Sequence, residues 1–446
     1  MTFNDRTHIT NKEIWAIALP IMLGNMAQTI INFTDTAFLG HVGVIALGAS
    51  MLAGLFYFVF TTIATGFAIG IQIIVARRFG EGRLDRIGVI FEHGSIVVMI
   101  LGLILFSILY FFSDALLLWL IDSPNIYEAS LEYIKYRRFG IMFVCFNFLF
   151  RGLYIGIANT KVITYSTIIM AIVNIFLDYC LIFGNFGFPE MGIGGAALAS
   201  FFAEVSAFIF FTTYTYFSLR KKEYGIFKLH KIESELMKRI LKIATPTMIQ
   251  KLFSFSVWFI FFILIEKMGE TATGISSIVR SIYMILITPC FAFATTTNTV
   301  VSRIIGEGYS NEVFPTINKI LKNCLLCTIP IMILVAIFPV QIAKIYTNDL
   351  NLIQFVIPSI YVICFGTIFQ GIGNAYFEAV SGTGNTTAAL YLEAIILVVY
   401  VAFIWAMTHL TTEVHWVWTA EILYGVLLGL FCVIYLKHAK WDKKKI

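Results

Sequence analysis

Twelve apolar runs decide what this chain can fold into. They fall at about 14–38, 46–75, 87–112, 132–158, 161–184, 192–218, 240–267, 272–304, 314–342, 355–382, 386–409 and 413–437. Each is long enough for a helix to cross a hydrocarbon core ~30 Å thick. Lipid offers no water to the backbone, so a run of this length must pair its N–H and C=O groups internally. A closed barrel would need segments of ~10 residues alternating apolar with polar, and these runs do not alternate. The 446 residues are 59% hydrophobic and 13% charged, with a mean hydropathy of +0.87, which no soluble domain of this length matches. The fold class is therefore an all-α polytopic membrane protein. The polar opening, Met1 to Lys12, enters the first run without a small-residue cleavage site, so a retained helix is expected there.

An even number of spans puts both termini on one side. The basic loops set that side: Arg77, Arg78, Arg83 and Arg86, the stretch from Arg220 to Lys242, and the tail Lys437 to Lys445 face one way. Lys135, Arg137, Arg138, Lys267 and Lys344 face the other. The excess marks the cytoplasm, so the expectation is a multi-pass cell (inner) membrane protein with both termini cytoplasmic. The formal charge of +5 is spread over short loops and gives no nucleic-acid footprint. Membrane lipid is the expected neighbour, and the chain is expected to be a monomer. Cys324 and Cys327 have the spacing of a redox or zinc pair, but they lie within an apolar run and read as packing.

The chain repeats itself. Pro20 matches Pro246, Gly43 matches Gly269, and Gly80-Glu81-Gly82 matches Gly306-Glu307-Gly308; Phe139-Gly140 matches Phe365-Gly366, and Asn159-Thr160 matches Asn385-Thr386. Every pair is 226 residues apart. That interval holds six spans, so the copies share one orientation and their axis runs along the membrane normal, the parallel-repeat plan of secondary transporters. The expected blocks are residues 1–218 (six spans, the N-lobe), a cytoplasmic linker at 219–238, and 239–446 (six spans, the C-lobe). Pro20 and Pro246 open the first helix of each block and remove a backbone donor there, which makes Pro20 a candidate hinge.

Asp35 stands bare inside the first run. A carboxylate in hydrocarbon costs several kcal/mol unless it is paired, hydrated or protonated. Asn174 and Asp178 are four apart and share one face of span 5. At ~1.5 Å per residue, Asp35 lies roughly 30 Å along span 1 and Asp178 roughly 25 Å along span 5, the same depth in the outer half. Two carboxylates facing each other there cannot both ionise comfortably. Such a pair holds a proton, or holds Na⁺ with help from amide and hydroxyl oxygens. Asn174, Thr34 and Thr36 are the nearby donors, and Glu204 in span 6 is a possible further member. The positions 226 residues beyond Asp35, Asn174 and Asp178 are Phe261, Tyr400 and Ile404, so the C-lobe has no copy of the site.

These residues carry a family likeness. Pro20 followed by Thr34-Asp35-Thr36-Ala37-Phe38-Leu39-Gly40, the Gly80-Glu81-Gly82 turn, Arg151-Gly152 to Asn159-Thr160, and Asn174-Ile175-Phe176-Leu177-Asp178 leading to Gly192-Ile193-Gly194-Gly195-Ala196-Ala197 resemble the multidrug and toxic compound extrusion (MATE) family over nearly the whole chain. The resemblance implies two six-helix bundles in a V, outward and inward states, and export driven by Na⁺ or H⁺ with no other cofactor. Asp35, Asn174 and Asp178 match the N-lobe cation site of part of that family. Another branch carries acids on the first and fourth C-lobe helices, where this chain has Ser254 and Gln370. Other C-lobe candidates are Lys251, without an evident partner, and Arg280, expected to pair with Glu266 or Glu270. Glu378 and Glu393 are expected to reach the interface from span ends.

The expected function is a cation-coupled antiporter exporting amphipathic, cationic organic compounds. The alternative is a lipid or lipid-linked glycan flippase of the same superfamily, which would favour a strongly cationic cavity; Arg151, Lys251 and Arg280 are the basic residues expected away from the span ends, which counts against it. An enzyme is not expected, because neither Gly-x-Ser-x-Gly nor His-Glu-x-x-His occurs.

Overall fold

The computed structural model describes residues 8–219, 224–228, 230–347 and 349–441. Among them are twelve helical segments long and apolar enough to cross a membrane. Spans 1 to 6 are Asn11–Val42, Val44–Gly80, Asp85–Phe111, Pro124–Gly156, Lys161–Phe183 and Gly192–Ser218. Spans 7 to 12 are Ser234–Glu266, Glu270–Gly306, Ser310–Ile337, Leu352–Gly382, Thr386–Leu410 and Val414–His438. Every predicted run is found.

Span 4 differs at its start. The helix begins at Pro124, where the ring presets the first turn, and passes through a 3₁₀ turn at Arg138–Gly140. Arg137, expected at the outer end of this span, therefore lies more than three turns into the helix, with a side chain only 14% exposed. Two short helices follow spans 3 and 9: Ser113–Leu120 lies in a connector, and Pro339–Lys344 takes in the end of the run expected at 314–342.

The backbone carries the repeat in its own terms. Positive φ recurs at matched positions: Gly43 and Gly269 (147° and 115°), Gly82 and Gly308 (70° and 89°), Ala158 and Gly384 (57° and 86°). The left-handed region favours glycine, and Ala158 adopts it where its repeat partner is Gly384.

The chain forms two compact units. One is Leu23–Met248; the other joins the residues up to Met22 to those from Ile249 onward. The units thus divide spans 1 and 7 two residues past Pro20 and Pro246, instead of dividing the chain at the 219–238 connector. Contacts show why. In the second unit, Trp15 Nε1 donates to Asn323 Oδ1 (2.9 Å) and Lys319 Nζ donates to the Ile9 carbonyl (2.8 Å). In the first, Thr247 Oγ1 donates to the Gly66 carbonyl (2.7 Å). Pro20 sits inside a continuous helix, Asn11–Val42.

The segments that enter spans 1 and 7 are clasped by charge. Arg86 grips Glu233 with two nitrogens (3.1 and 2.7 Å), and that ion pair, against a small opposing effect of burial, holds the Glu233 carboxyl below its usual range. His8 places Nδ1 2.8 Å from Glu312 and Nε2 2.8 Å from Glu307. Both ring nitrogens face carboxylates, so both must donate, which requires imidazolium. Burial pulls the His8 pKa down, but Glu307 and Glu312 outweigh it and leave it raised.

Two outcomes follow from this packing. A group with a raised folded pKa stabilises fully below its ordinary value of about 6.5 and loses that contribution as pH rises through the folded value. Amide exchange around His8 and Ile9 is therefore expected to accelerate as pH rises above neutrality, and His8→Ala should exchange fast at every pH. Spans 10 and 12 meet at bare backbone: a Cβ on Gly373 would lie 2.6 Å from the Gly425 carbonyl oxygen. Gly425→Leu should cost about 1–3 kcal/mol through overpacking, read as a lower thermal unfolding midpoint in detergent.

Candidate functional site

The site lies in the unit Leu23–Met248, between spans 1 and 5. Both helices carry it on faces turned inward: Asn174 and Asp178 are fully buried, one helical turn apart on Lys161–Phe183. Asp35 is close enough for the two carboxylates and the Asn174 amide to act on one another. No hydrogen bond of ordinary geometry completes the group. Both Asp178 oxygens, both polar atoms of the Asn174 amide and one Asp35 oxygen are buried without a hydrogen-bond partner. Buried polar atoms are otherwise almost always bonded, so five such atoms at one point set this group apart. An alkali cation or a proton suits oxygens of this kind.

One turn beyond the carboxylates the surroundings become dry. Leu39, Ala46, Ala49, Ile182, Ile193 and Ala196 form a buried apolar cluster, with Phe38 and Tyr133 packed against it. This cluster excludes water from one side of the pair and strengthens every charge interaction there. The protein cation acting on both carboxylates is Arg137. Its guanidinium lies over the Tyr57 ring, 4.6 Å from the centroid.

The other expected N-lobe residues separate. The Thr34 and Thr36 hydroxyls donate back to Ile30 and Asn32 carbonyls of their own helix (2.9 and 2.8 Å). Glu204 belongs to a neighbouring cluster: Asn147 Nδ2 donates to its Oε2 at 2.9 Å, and Arg137 Nη2 stands 3.6 Å from its Oε1. Arg137, Tyr133 and Asn147 were not singled out from the sequence. The signal was present, since Tyr133 and Arg137 are one helical turn apart, but the run of charges from Lys135 to Arg138 reads as the outer end of a span.

The unit containing spans 8 to 12 corrects the expectation that its acids reach the interface. Three carboxylates lie inside it. Glu421 accepts from Tyr283 (2.8 Å), Tyr400 (2.7 Å) and Gln370 (2.7 Å). Glu393 accepts from Ser254 (2.6 Å), Gln250 (2.5 Å) and Tyr424 (2.8 Å). Glu378 accepts from Asn298 (2.9 Å) and pairs with Lys251 at 3.8 Å. Glu378 and Glu393 thus face the interior and not the interface, and Lys251 has a partner. Arg280 lies over Phe262, 5.3 Å from the ring centroid, and among the described residues makes no ion pair with Glu266 or Glu270. Glu421, an acid within a span, was visible in the sequence and missed. Phe261, at the position matching Asp35, packs against Tyr400 and Trp418.

The contrast is informative. The three acids on spans 10 to 12 have their partners; the Asp35–Asp178 pair does not. Twelve spans, an exact-register repeat and an unsatisfied carboxylate pair inside one unit are the build of a membrane transporter, not of an enzyme. The MatE family model matches residues 20–180 and again 246–406, at the same 226-residue interval. The chain belongs to the MatE family. It is 27% identical over 442 residues to a probable multidrug resistance protein NorM of Thermotoga maritima, covering 98% of this chain and 94% of that one. To the multidrug resistance protein NorM of Photobacterium profundum it is 23% identical over 350 residues, 77% and 75% of the two chains. Its fold is similar to a multidrug resistance MATE family transporter solved in an outward-facing conformation (TM-score 0.88, 21% identity, 97% of each chain). A transporter of the MOP superfamily from Pyrococcus furiosus, described as having a binding pocket of reversed polarity, has a TM-score of 0.89 at 21% identity, again over 97% of each chain.

A bound cation must stabilise the folded protein, by about 2.7 kcal/mol at a hundredfold excess over its dissociation constant. The unfolding midpoint of the purified protein is expected to rise with Na⁺ at high pH, or with acid in the absence of Na⁺. Asp178→Asn should remove that response, whereas Glu421→Gln should lower the midpoint but keep it. A full response in Asp178→Asn would place the cation elsewhere.

Proposed function

We propose that this protein is a cation-coupled antiporter of the cell inner membrane, with cytoplasmic termini, that exports amphipathic organic cations. The observation that carries the reading is the Asp35–Asn174–Asp178 group, whose buried oxygens lack partners in a chain whose other buried acids have them. The multidrug resistance names of its relatives support the substrate class.

Electrostatics gives the cycle. With the pair empty, two carboxylates repel each other in a dry surrounding and hold their helices in one arrangement. Na⁺ or H⁺ arriving from outside neutralises them. Spans 1 and 5 then repack, with span 1 bending at Pro20, where one backbone hydrogen bond is missing. Substrate affinity falls and the organic cation leaves outward. The return transition sheds the coupling cation inside.

Efflux of ethidium from proteoliposomes under separate Na⁺ and pH gradients tests this reading. One gradient should drive transport, and Asp35→Asn should reduce the driven component at least tenfold while leaving the protein folded. Transport indifferent to both gradients would point to a flippase or an uncoupled carrier.

A further inference from the structure

Beside the carboxylate pair, in the same unit, lies a second polar feature that the cycle above does not use. It is a cavity of about 60 Å³ lined by Gln28, Asn147, Arg151 and Glu204, with Phe148 and Phe211 among its apolar walls. Its size suits one cationic head group, such as a protonated amine, and the aromatic rings suit the apolar remainder. Glu204 is its one acid. Asn147 fixes Oε2 of that carboxylate, and Oε1 faces Arg137 Nη2 at 3.6 Å.

Arg137 meets the acid of this cavity, and its charge also acts on the Asp35–Asp178 pair. Toward the cavity its Nη2 is 3.6 Å from Glu204 Oε1, longer than a charge-assisted hydrogen bond of about 2.8 Å. Tyr57 supports its guanidinium from below, and Tyr133 faces it from its own helix. Its Nη1 is buried without a hydrogen-bond partner. The guanidinium is therefore held by a ring face, 3.6 Å from one acid and within electrostatic reach of two more.

We propose that Arg137 is the coupling residue of this transporter: one guanidinium serves the Asp35–Asp178 pair and Glu204 in alternation, and Glu204 is the carboxylate that binds the organic cation. The proposal rests on the antiport reading above. When the pair is empty, its charge draws Arg137, and Glu204 is free to hold substrate. Arg151, over Phe148 at 5.8 Å, remains as a counter-charge facing Glu204, so substrate binding stays reversible. When Na⁺ or H⁺ occupies the pair, that attraction is gone. Arg137 closes on Glu204 and displaces the organic cation. Exclusion of two cations then needs no shared ligand, only a shared arginine. No bond forms or breaks; charge alone is exchanged.

Ethidium binding to the full-length protein in detergent, followed by fluorescence anisotropy, tests the proposal. The wild type should bind about tenfold more weakly when the pair is loaded (by saturating Na⁺ or by acid, whichever shifts the unfolding midpoint), within the usual range of coupling between sites. Arg137→Gln should bind tightly in both conditions, and Arg137→Lys should recover part of the cation sensitivity. Glu204→Gln should bind weakly in both. Cation sensitivity equal to wild type in Arg137→Gln, or wild-type affinity in Glu204→Gln, overturns the proposal. Should Arg137→Gln lose its unfolding transition, Glu204→Gln decides alone. Asp35→Asn separates the two readings: if it keeps cation-driven efflux, the antiport site is wrong; if it loses efflux while Arg137→Gln stays cation-sensitive, only the arginine relay is wrong.

Discussion

Everything specific about this molecule turns on the cost of a carboxylate without a partner in a medium that cannot hydrate it. Hydrocarbon makes each buried acid a demand on its neighbours. Spans 10, 11 and 12 meet that demand locally, with tyrosines, amides, a serine and a lysine around Glu378, Glu393 and Glu421. Spans 1 and 5 bring Asp35 and Asp178 together and leave the demand open. A scaffold that can satisfy three acids has the donors to satisfy a fourth and fifth. That pair is the departure from the rule, and the proposed cation site rests on it.

The repeat sharpens this. Helix starts, left-handed backbone positions and the division between units all recur at one interval, so the two halves share a backbone plan. Their polar interiors do not correspond. Phe261 and Tyr400 stand where Asp35 and Asn174 stand in the other half, and Tyr400 turns its hydroxyl to Glu421. The acids of the second half come from helices that carry none at the matched positions of the first: Gly152, Thr167 and Gly195 lie at the places of Glu378, Glu393 and Glu421. Duplication supplied the frame, and each half places its charges independently.

How legible this was depends on the range of the interaction. Hydrophobic length and matched Gly and Pro are local signals, and the twelve spans and the repeat could be read directly. The Asp35–Asp178 pairing was reachable because depth along two helices can be counted. Arg137 was hidden because a cluster of Lys and Arg at a span end reads as an outward-facing topology signal; only the fold shows that span 4 starts earlier and turns one of those charges inward. Ser254 and Gln370 were found as positions, but their acids arrive from spans 11 and 12, and no pattern along one helix reports a partner on another. Thr34 and Thr36 show another limit: a hydroxyl next to an acid in sequence can donate to its own helix instead.

The two charge clasps at the helix entries have a further meaning. Arg86 and Glu312 occupy matched places in the repeat but carry opposite signs. The segment entering span 7 brings an acid, Glu233, to the first; the segment entering span 1 brings His8 to the second. If nearly identical halves exchanged these segments, Glu233 would face Glu307 and Glu312, and an imidazolium would face Arg86. Like charges would oppose both errors. A chain built from two copies of one plan must tell its copies apart while it folds into the bilayer, and this sign reversal gives each entry segment a single correct address.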